Sequence, residues 1–248
     1  MKISVITAVF NGRETVADAI ESVLRQSHPD IELVVIDGAS TDGTRELIES
    51  YQKRMAVFIS EPDEGIYDAL NKGISLATGN IVGFLHADDL FAGNNVLSKI
   101  ADVFSDPSVD AVYGDLVYVS RFEPDKVIRY WRAQDFSPGK LKKGWMPPHP
   151  TFYVRRSIYE RLGSFDTSYH IAADYDCILR MLGQGRLNCR YVPEVLVKMR
   201  VGGKSNNSLR NIVVKSVEDY RALKHNKIGG IISLVRKNLS KLPQFLFH

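Results

Sequence analysis

Hydrophobic positions in the first ninety residues switch repeatedly between two periods. Ile3 to Val9 is a β-branched run, the pattern of a strand buried on both faces. Arg13 to Gln26 then sets Val16, Ile20, Val23 and Leu24 at helical spacing. Ile31 to Ile36 predicts a second buried strand, and Thr41 to Lys53 a helix that Ser40 or Thr41 can cap. Val57 to Ser60 reads as a third strand. Ile66 to Ala77 reads as a helix with Gly79 as its stop. Ile81 to His86 is a fourth strand, running into Ala87-Asp88-Asp89. Strands alternating with helices of this length predict a mostly parallel α/β sheet flanked by helices. Ligands of such sheets sit at the carboxyl ends of the strands. Asn11, Asp37 and Asp88 each follow a strand, so all three are expected on one edge.

Past about residue 110 the pattern loosens. Ala111 to Val119 predicts a strand, while Ser120 to Pro150 mixes Pro, Gly, aromatic and charged residues. Ser157 to Leu162 and Asp174 to Leu182 read as short helices, and Leu187 to Met199 as a strand. Leu209 to Leu223 and Ile228 to Leu242 read as amphipathic helices. No internal repeat or low-complexity tract interrupts the chain.

The 248 residues, 44% of them hydrophobic, fit one large domain with a modest extension. Cys177 and Cys189 form no metal-binding spacing and read as reduced structural thiols of a cytoplasmic protein. Met1-Lys2-Ile3 enters a strand directly, so no signal peptide is expected, and no apolar window is long enough to span a membrane. The net charge of +3 is unevenly spread: residues 198–248 hold 11 Lys/Arg against 2 Asp/Glu. In Ile228 to Phe247, apolar Ile231, Ile232, Leu234, Val235, Leu239, Leu242, Phe245, Leu246 and Phe247 alternate with Arg236, Lys237 and Lys241. That mixture favours peripheral docking on an anionic membrane surface, the inner face of the plasma membrane. The competing readings are a helix packed on the domain or a dimer contact. No nucleic-acid recognition motif accompanies the charge, so a nucleic-acid partner is not expected.

Adjacent carboxylates at a strand end, as in Asp88-Asp89, repel each other and lose solvation unless a cation is present. Hard oxygen ligands suit Mg²⁺ or Mn²⁺. The alternative is a helix N-cap. The turn Asp37-Gly38-Ala39-Ser40-Thr41-Asp42-Gly43-Thr44 is either a well-capped strand-to-helix turn or a polar cradle for a nucleoside.

These segments together carry a resemblance. Thr7-Ala8-Val9-Phe10-Asn11, then Val35 to Thr44, then Gly79 to Asp89, in this order, resemble the family 2 glycosyltransferases. Arg156 to Leu182, including Ala172-Ala173-Asp174-Tyr175-Asp176, extends the likeness. Glu64 to Gly73 is similar to the branch that builds bacterial exopolysaccharide and related surface glycans. The resemblance spans roughly residues 1–205 and implies a GT-A fold with a nucleotide-sugar-binding half (1–110) and an acceptor-binding half (111–205). Residues 206–248 would then form a basic amphipathic helical extension.

The resemblance also implies roles. Thr7, Val9, Asn11 and Asp37 would line the nucleoside pocket, with Asp68 a further nucleotide-sugar contact. Asp88 would stand at the second Asp of the family's Asp-x-Asp motif and Asp89 at the acidic position after it, holding the ribose and a metal-bridged diphosphate. Asp174 would be the catalytic base of an inverting transfer. The sequence departs from the motif at His86, which replaces its first Asp. His86 is a softer metal ligand, a hydrogen-bond partner of the diphosphate, or a histidine satisfied by backbone. His149, in the stiff segment Pro147-Pro148-His149-Pro150, is a candidate for contacting the acceptor or the diphosphate. UDP is the family's default donor nucleotide, with GDP and dTDP also used, and the implied acceptor is a glycan or lipid-linked hydroxyl. The rival readings are a sugar nucleotidyltransferase and a non-catalytic carbohydrate- or nucleotide-binding protein of the same fold. Thr7 to Asn11 lacks the Gly-rich basic loop expected of the first.

Overall fold

A computed structural model describes residues 1–202 and 209–239 of the chain. The expectations for Lys241, Leu242, Phe245, Leu246 and Phe247 lie outside the described residues. β1 (Ile3–Val9) is buried at every position, as its unbroken apolar run predicts. It lies between β2 (Ile31–Asp37) and β4 (Ile81–Phe84), parallel to both, and β3 (Val57–Ser60) extends the parallel set beyond β2. Alternate side chains of these strands enter two different cores. Val5, Val9, Leu33 and Val35 pack with α1 (Val16–Leu24) and α4 (Val96–Phe104). Ile6, Ala8, Val34 and Ile36 pack on the opposite face with α3 (Ile66–Leu76).

The helix expected over 41–53 is shorter, because its first residues serve the neighbouring turn. α2 covers Thr44–Glu49 and follows Gly43, whose φ of 89° lies in the left-handed region that glycine tolerates. The Thr44 N–H donates to Asp42 Oδ1 at 3.0 Å, so Asp42 takes the capping role expected of Ser40 or Thr41. A single 3₁₀ turn at Gln52–Arg54 completes the connection.

Past β4 the sheet becomes mixed. Its order is β3-β2-β1-β4-β8-β6-β9-β5, with β7 paired to β6. β5 (Asp89–Phe91), β7 (Val127–Trp131) and β8 (Tyr153–Arg155) were not expected from the pattern. β6 (Ala111–Val119) and β9 (Cys189–Arg200) run parallel, while β8 is antiparallel to both β4 and β6. At Gly83 the Tyr153 ring packs so closely over the backbone that a Cβ would lie 2.1 Å from it, so no larger residue fits.

α5 (Pro138–Leu141), α6 (Arg156–Leu162) and α7 (Ala173–Leu179), the last running on into a π turn at Arg180–Gln184, cover the α3 face. α8 (Leu209–His225) and α9 (Ile231–Leu239) close that side. Ala222, Leu223 and Ile228 enter the same core cluster as Tyr175 and Ile178, so the C-terminal helices are packed on the body. Lys237, read from the sequence as a surface cation, is buried. Its Nζ is 2.6 Å from Asp219 Oδ1 and 3.1 Å from the Tyr175 ring centre. Among the described residues no helix is long and apolar enough to cross a membrane. Both cysteines are free thiols.

Candidate active site

The carboxyl ends of β1, β2 and β4 do bring Asn11, Asp37 and Asp88 to one edge, because parallel strands place equivalent ends together. Asn11 adopts φ 52°, a left-handed conformation that Asn tolerates, which turns its side chain across to the next loop. Its Oδ1 accepts from the Thr41 N–H at 2.9 Å, and its own N–H donates to Ser40 Oγ at 2.8 Å. Asp37 is fully buried beneath that loop. It accepts from the Ser40 N–H at 3.1 Å, from the Ser60 hydroxyl at 2.6 Å, and from the Ser40 hydroxyl. A carboxylate has about four acceptor sites, so roughly one is left for a ligand. Thr7 and Val9 are also buried, and Thr7 Oγ1 has no hydrogen-bond partner among the described residues. Asp68, in the first turn of α3, is engaged by Lys72 at 3.3 Å and by the Glu64 N–H at 3.2 Å.

The two carboxylates of the Asp88-Asp89 pair have different surroundings. Asp88 is half-buried in the turn after β4. Asp89 begins β5 opposite Met199 and is fully buried, with no hydrogen-bond partner for either oxygen. Burial, reinforced by the adjacent charge of Asp88, pushes the Asp89 carboxyl well above the usual carboxylate range, although Arg200 offsets part of this. The adjacent charge of Asp88 thus adds to burial in disfavouring the ionised form of Asp89. Asp88 offers a divalent cation one hard oxygen donor at the strand end. Asp88 reaches solvent, while His86 Nδ1 and both Asp89 oxygens are buried polar atoms without partners in the same turn. No group of three or more His, Cys, Asp or Glu is assembled into a cage among the described residues. These residues could thus supply only part of a coordination shell.

A chain of contacts links that turn to Asp174. His86 Nε2 is 2.8 Å from His149 Nε2, and His149 Nδ1 is 3.3 Å from Asp174 Oδ2. Burial holds His149 down at about 4 against the upward pull of Asp174, so its ring is neutral near pH 7. Burial pushes Asp174 upward, but the positive charges around it, that of His149 in its protonated form together with those of Lys215 and Lys237, hold the carboxyl below its ordinary value. An ionised Asp174 only accepts, which places the His149 proton on Nδ1, facing it. His149 Nε2 is then an acceptor, His86 Nε2–H donates to it, and a lone pair remains on His86 Nδ1. His86 is therefore satisfied by another side chain, an option its position at the strand end did not suggest.

Tyr67 is a member of this site that sequence reasoning missed. Its hydroxyl donates to Ile171 O at 2.6 Å and lies 3.3 Å from Asp174 Oδ1. The available signal was its place in Glu64 to Gly73, which follows β3 and so opens on the same sheet edge. Asp176, one of two carboxylates near the start of α7, points elsewhere. It is fully buried and bound to the Asn226 amide at 2.8 Å and to Arg180 at 3.4 Å. Trp145 is core: its indole N–H donates to Ala133 O at 2.6 Å, and its ring stacks on Phe136.

The parallel half-sheet, its loop cradle and the strand-end acids are the setting in which the known relatives become informative. The description "Glycosyl transferase family 2" matches residues 4–171. The chain belongs to glycosyl transferase family 2. A PGL/p-HBAD biosynthesis glycosyltransferase of Mycobacterium bovis is 30% identical over 209 residues, covering 82% of this chain and 78% of the relative. An uncharacterized glycosyltransferase of Nostoc sp. is 32% identical, covering 84% and 67%. This chain is accordingly a glycosyltransferase, the enzyme class expected from the sequence.

Solved structures show the same GT-A fold. Residues 1–349 of Staphylococcus aureus TarS, in complex with UDP, superpose with a TM-score of 0.67 at 19% identity, covering 99% of this chain and 71% of that one. This chain spans 43% of a longer TarS structure. A mannosyltransferase from Pyrobaculum calidifontis, in complex with GDP-Man and Mn²⁺, gives a TM-score of 0.68 at 22% identity, covering 99% and 73%.

Proposed function

We propose that this glycosyltransferase moves a sugar from a nucleoside-diphosphate donor to an acceptor hydroxyl with inversion, Asp174 acting as general base. The carrying observation is that Asp174 Oδ2 lies 3.3 Å from His149 Nδ1, at the end of a contact chain that begins at His86 in the Asp88 turn. An acceptor hydroxyl is a poor nucleophile until a base takes its proton. As the acceptor oxygen bonds to the anomeric carbon, the bond to the diphosphate breaks and its electron pair leaves with the nucleotide. The acceptor proton passes to the Asp174 carboxylate. His149 Nδ1–H orients that carboxylate, and the Tyr67 hydroxyl holds the Ile171 carbonyl just before it. The loop around Asn11, Asp37 and Ser40 receives the nucleoside, and Asp88, with His86 Nδ1, lies where the diphosphate would bind. A bound Mn²⁺ or Mg²⁺ supplies positive charge beside the departing diphosphate.

The donor nucleotide is taken as UDP, with GDP and dTDP as alternatives. The acceptor is taken as a glycan or lipid-linked hydroxyl of a surface glycan or glycolipid, a reading supported by the name of the mycobacterial relative. Exposed Ile231, Ile232, Val235 and Leu239 on α9, near Lys224, Lys227 and Arg236, favour peripheral docking on an anionic inner membrane face. Vesicles containing anionic lipid should bind the wild-type chain and bind an Ile231→Ser/Ile232→Ser/Val235→Ser variant less; equal binding would exclude that docking.

Thermal-shift measurements with UDP, GDP and dTDP, each with and without Mn²⁺, test donor binding. Stabilisation by one nucleotide that is deepened by Mn²⁺ is expected, and no shift under any condition would overturn the reading. Asp174→Asn should retain that binding and lose turnover by roughly 10²–10⁴-fold, the usual share of a general base.

A further inference from the structure

The segment that carries Asp174 into the site is a loop, and its backbone is held from both sides. Residues 170–172 precede α7 and belong to no helix or strand. Tyr67 of α3 takes the Ile171 carbonyl. On the other side Glu218 of α8 accepts three consecutive N–H groups, from His170 at 2.8 Å, Ile171 at 2.8 Å and Ala172 at 2.9 Å. Glu218 is buried, with 7% of its surface exposed. Unpaired, these backbone donors and this carboxylate would each carry a desolvation cost, and together they satisfy one another.

We propose that Glu218 is a positioning residue for the catalytic base, so that α8 is a working part of the active site and not an appendage to it. This rests on the reading of Asp174 as the base. The carboxylate fixes the direction in which the chain enters α7, and Asp174 is the second residue of that helix. A rotation of the entry by one hydrogen bond would swing its side chain away from His149 and the acceptor. Misplacement of a reacting group by about 1 Å can cost on the order of 10²-fold in rate.

Other contacts keep Glu218 in register. The next residue, Asp219, is pinned by Lys237 of α9 in a pair almost wholly removed from solvent. Asn226, at the end of α8, holds Asp176 of α7. Lys215, one helical turn before Glu218 and so on the same face, contributes to keeping Asp174 ionised. None of these α8 and α9 residues falls within the span matched to the family, which ends at residue 171. The clamp is therefore read from this chain's own packing.

The test compares Glu218→Gln, Glu218→Asp and Asp174→Asn in the full chain. Turnover is followed as nucleoside diphosphate released from the nucleotide sugar whose nucleotide gives the largest thermal shift, with octyl glycosides as acceptors and with water alone. Nucleotide affinity and binding stoichiometry are measured by calorimetry. The expected result is a fall in kcat of tenfold or more for Glu218→Gln and a smaller fall for Glu218→Asp, which keeps the charge but shortens the reach. Nucleotide affinity and stoichiometry should stay within twofold of wild type. A merely structural role would lower stoichiometry and kcat together, and that outcome overturns the proposal, as does an unchanged kcat.

If Asp174→Asn is inactive while Glu218→Gln turns over normally, the positioning role fails and the base stands. If Asp174→Asn turns over normally, the base reading itself fails. Hydrogen exchange of the wild-type chain provides a check that needs no variant. The amides of 170–172 should be protected to the level of the α7 interior, and exchange at free-loop rates would refute the clamp.

Discussion

A Glu32→Gln substitution gives the most quantitative expectation, because Glu32 is a buried carboxylate whose whole environment is on view. It lies in β2, 3% exposed, on the amino side of the sheet away from the site. The Thr78 N–H and hydroxyl each donate to it at 2.7 Å, the Gly79 N–H at 3.3 Å, and the Ser4 hydroxyl also donates. Lys2 Nζ is 2.9 Å away. One carboxylate thus ties β1 and β2 to the turn that starts β4. Burial alone would raise its pKa, but the bonds from Ser4, Thr78 and Lys2 prevail and hold it at about 2, against an ordinary 4.5.

Each pKa unit corresponds to about 1.4 kcal/mol, so the depression is equivalent to roughly 3 kcal/mol at neutral pH. Lys2 is 36% exposed, and salt screens part of its share, which brings the expectation to about 2–3 kcal/mol. The sign follows from the direction of the shift. A carboxyl whose pKa is lowered by folding stabilises fully above its unfolded pKa, near 4.5, and that contribution drains away as pH falls towards about 2. Glutamine presents an N–H₂ to partners that are themselves donors, so it restores little. Urea unfolding followed by tryptophan fluorescence should place Glu32→Gln about 2–3 kcal/mol below wild type at pH 7, with the gap narrowing by roughly 2 kcal/mol at pH 3. Nucleotide binding by the folded variant should be unchanged. A gap independent of pH, or a variant as stable as wild type, would refute the reasoning.

Tyr67→Phe removes the hydroxyl that holds the Ile171 carbonyl, at a cost of about 1–2 kcal/mol in stability. Its kcat should fall by up to about tenfold, the same misplacement argument applied on a smaller scale, with nucleotide affinity preserved; undiminished turnover would remove Tyr67 from the site. Burial pushes both Cys177 and Cys189 up to about 12, so neither is a thiolate near pH 8. A colorimetric thiol reagent should label the native chain slowly and the urea-unfolded chain fast, and rapid labelling of the native chain would contradict their burial. Gly83→Ala should fail to express as folded protein or melt far below wild type, since its Cβ would meet the Tyr153 ring at 2.1 Å. A normal melting temperature would show that the Tyr153 ring can move aside cheaply.

Much of the parallel part of the sheet was legible because its signals are local. The run Ile3 to Val9 and the spacing of Val16, Ile20 and Val23 each encode a period within a few residues, and the alternation of periods implies the parallel order. β5, β7 and the three-residue β8 were not legible. Asp89–Phe91 is too short to show a period, and Val127–Trp131 becomes a strand by pairing with β6, a partner the local pattern does not name. The helix expected from Thr41 began late because Ser40 and Asp42 spend their side chains on Asp37 and Thr44 within the turn and on Asn11 of the neighbouring loop.

The sequence by itself determined that Asn11, Asp37 and Asp88 share one edge, since parallel strands leave no other place for residues just past their ends. It also set two carboxylates, Asp88 and Asp89, side by side at a strand end, where burial makes their joint ionisation unfavourable unless a cation is present. Only the tertiary structure decided that Asp89 is the buried partner, that His86 and His149 face each other, and that Glu218 meets the loop before Asp174. The members of that last group come from positions 67, 86, 149, 174 and 218, on separate elements. Local periodicity fixes which face of an element is apolar, whereas the packing of whole elements fixes which distant polar groups must satisfy each other in the space between them.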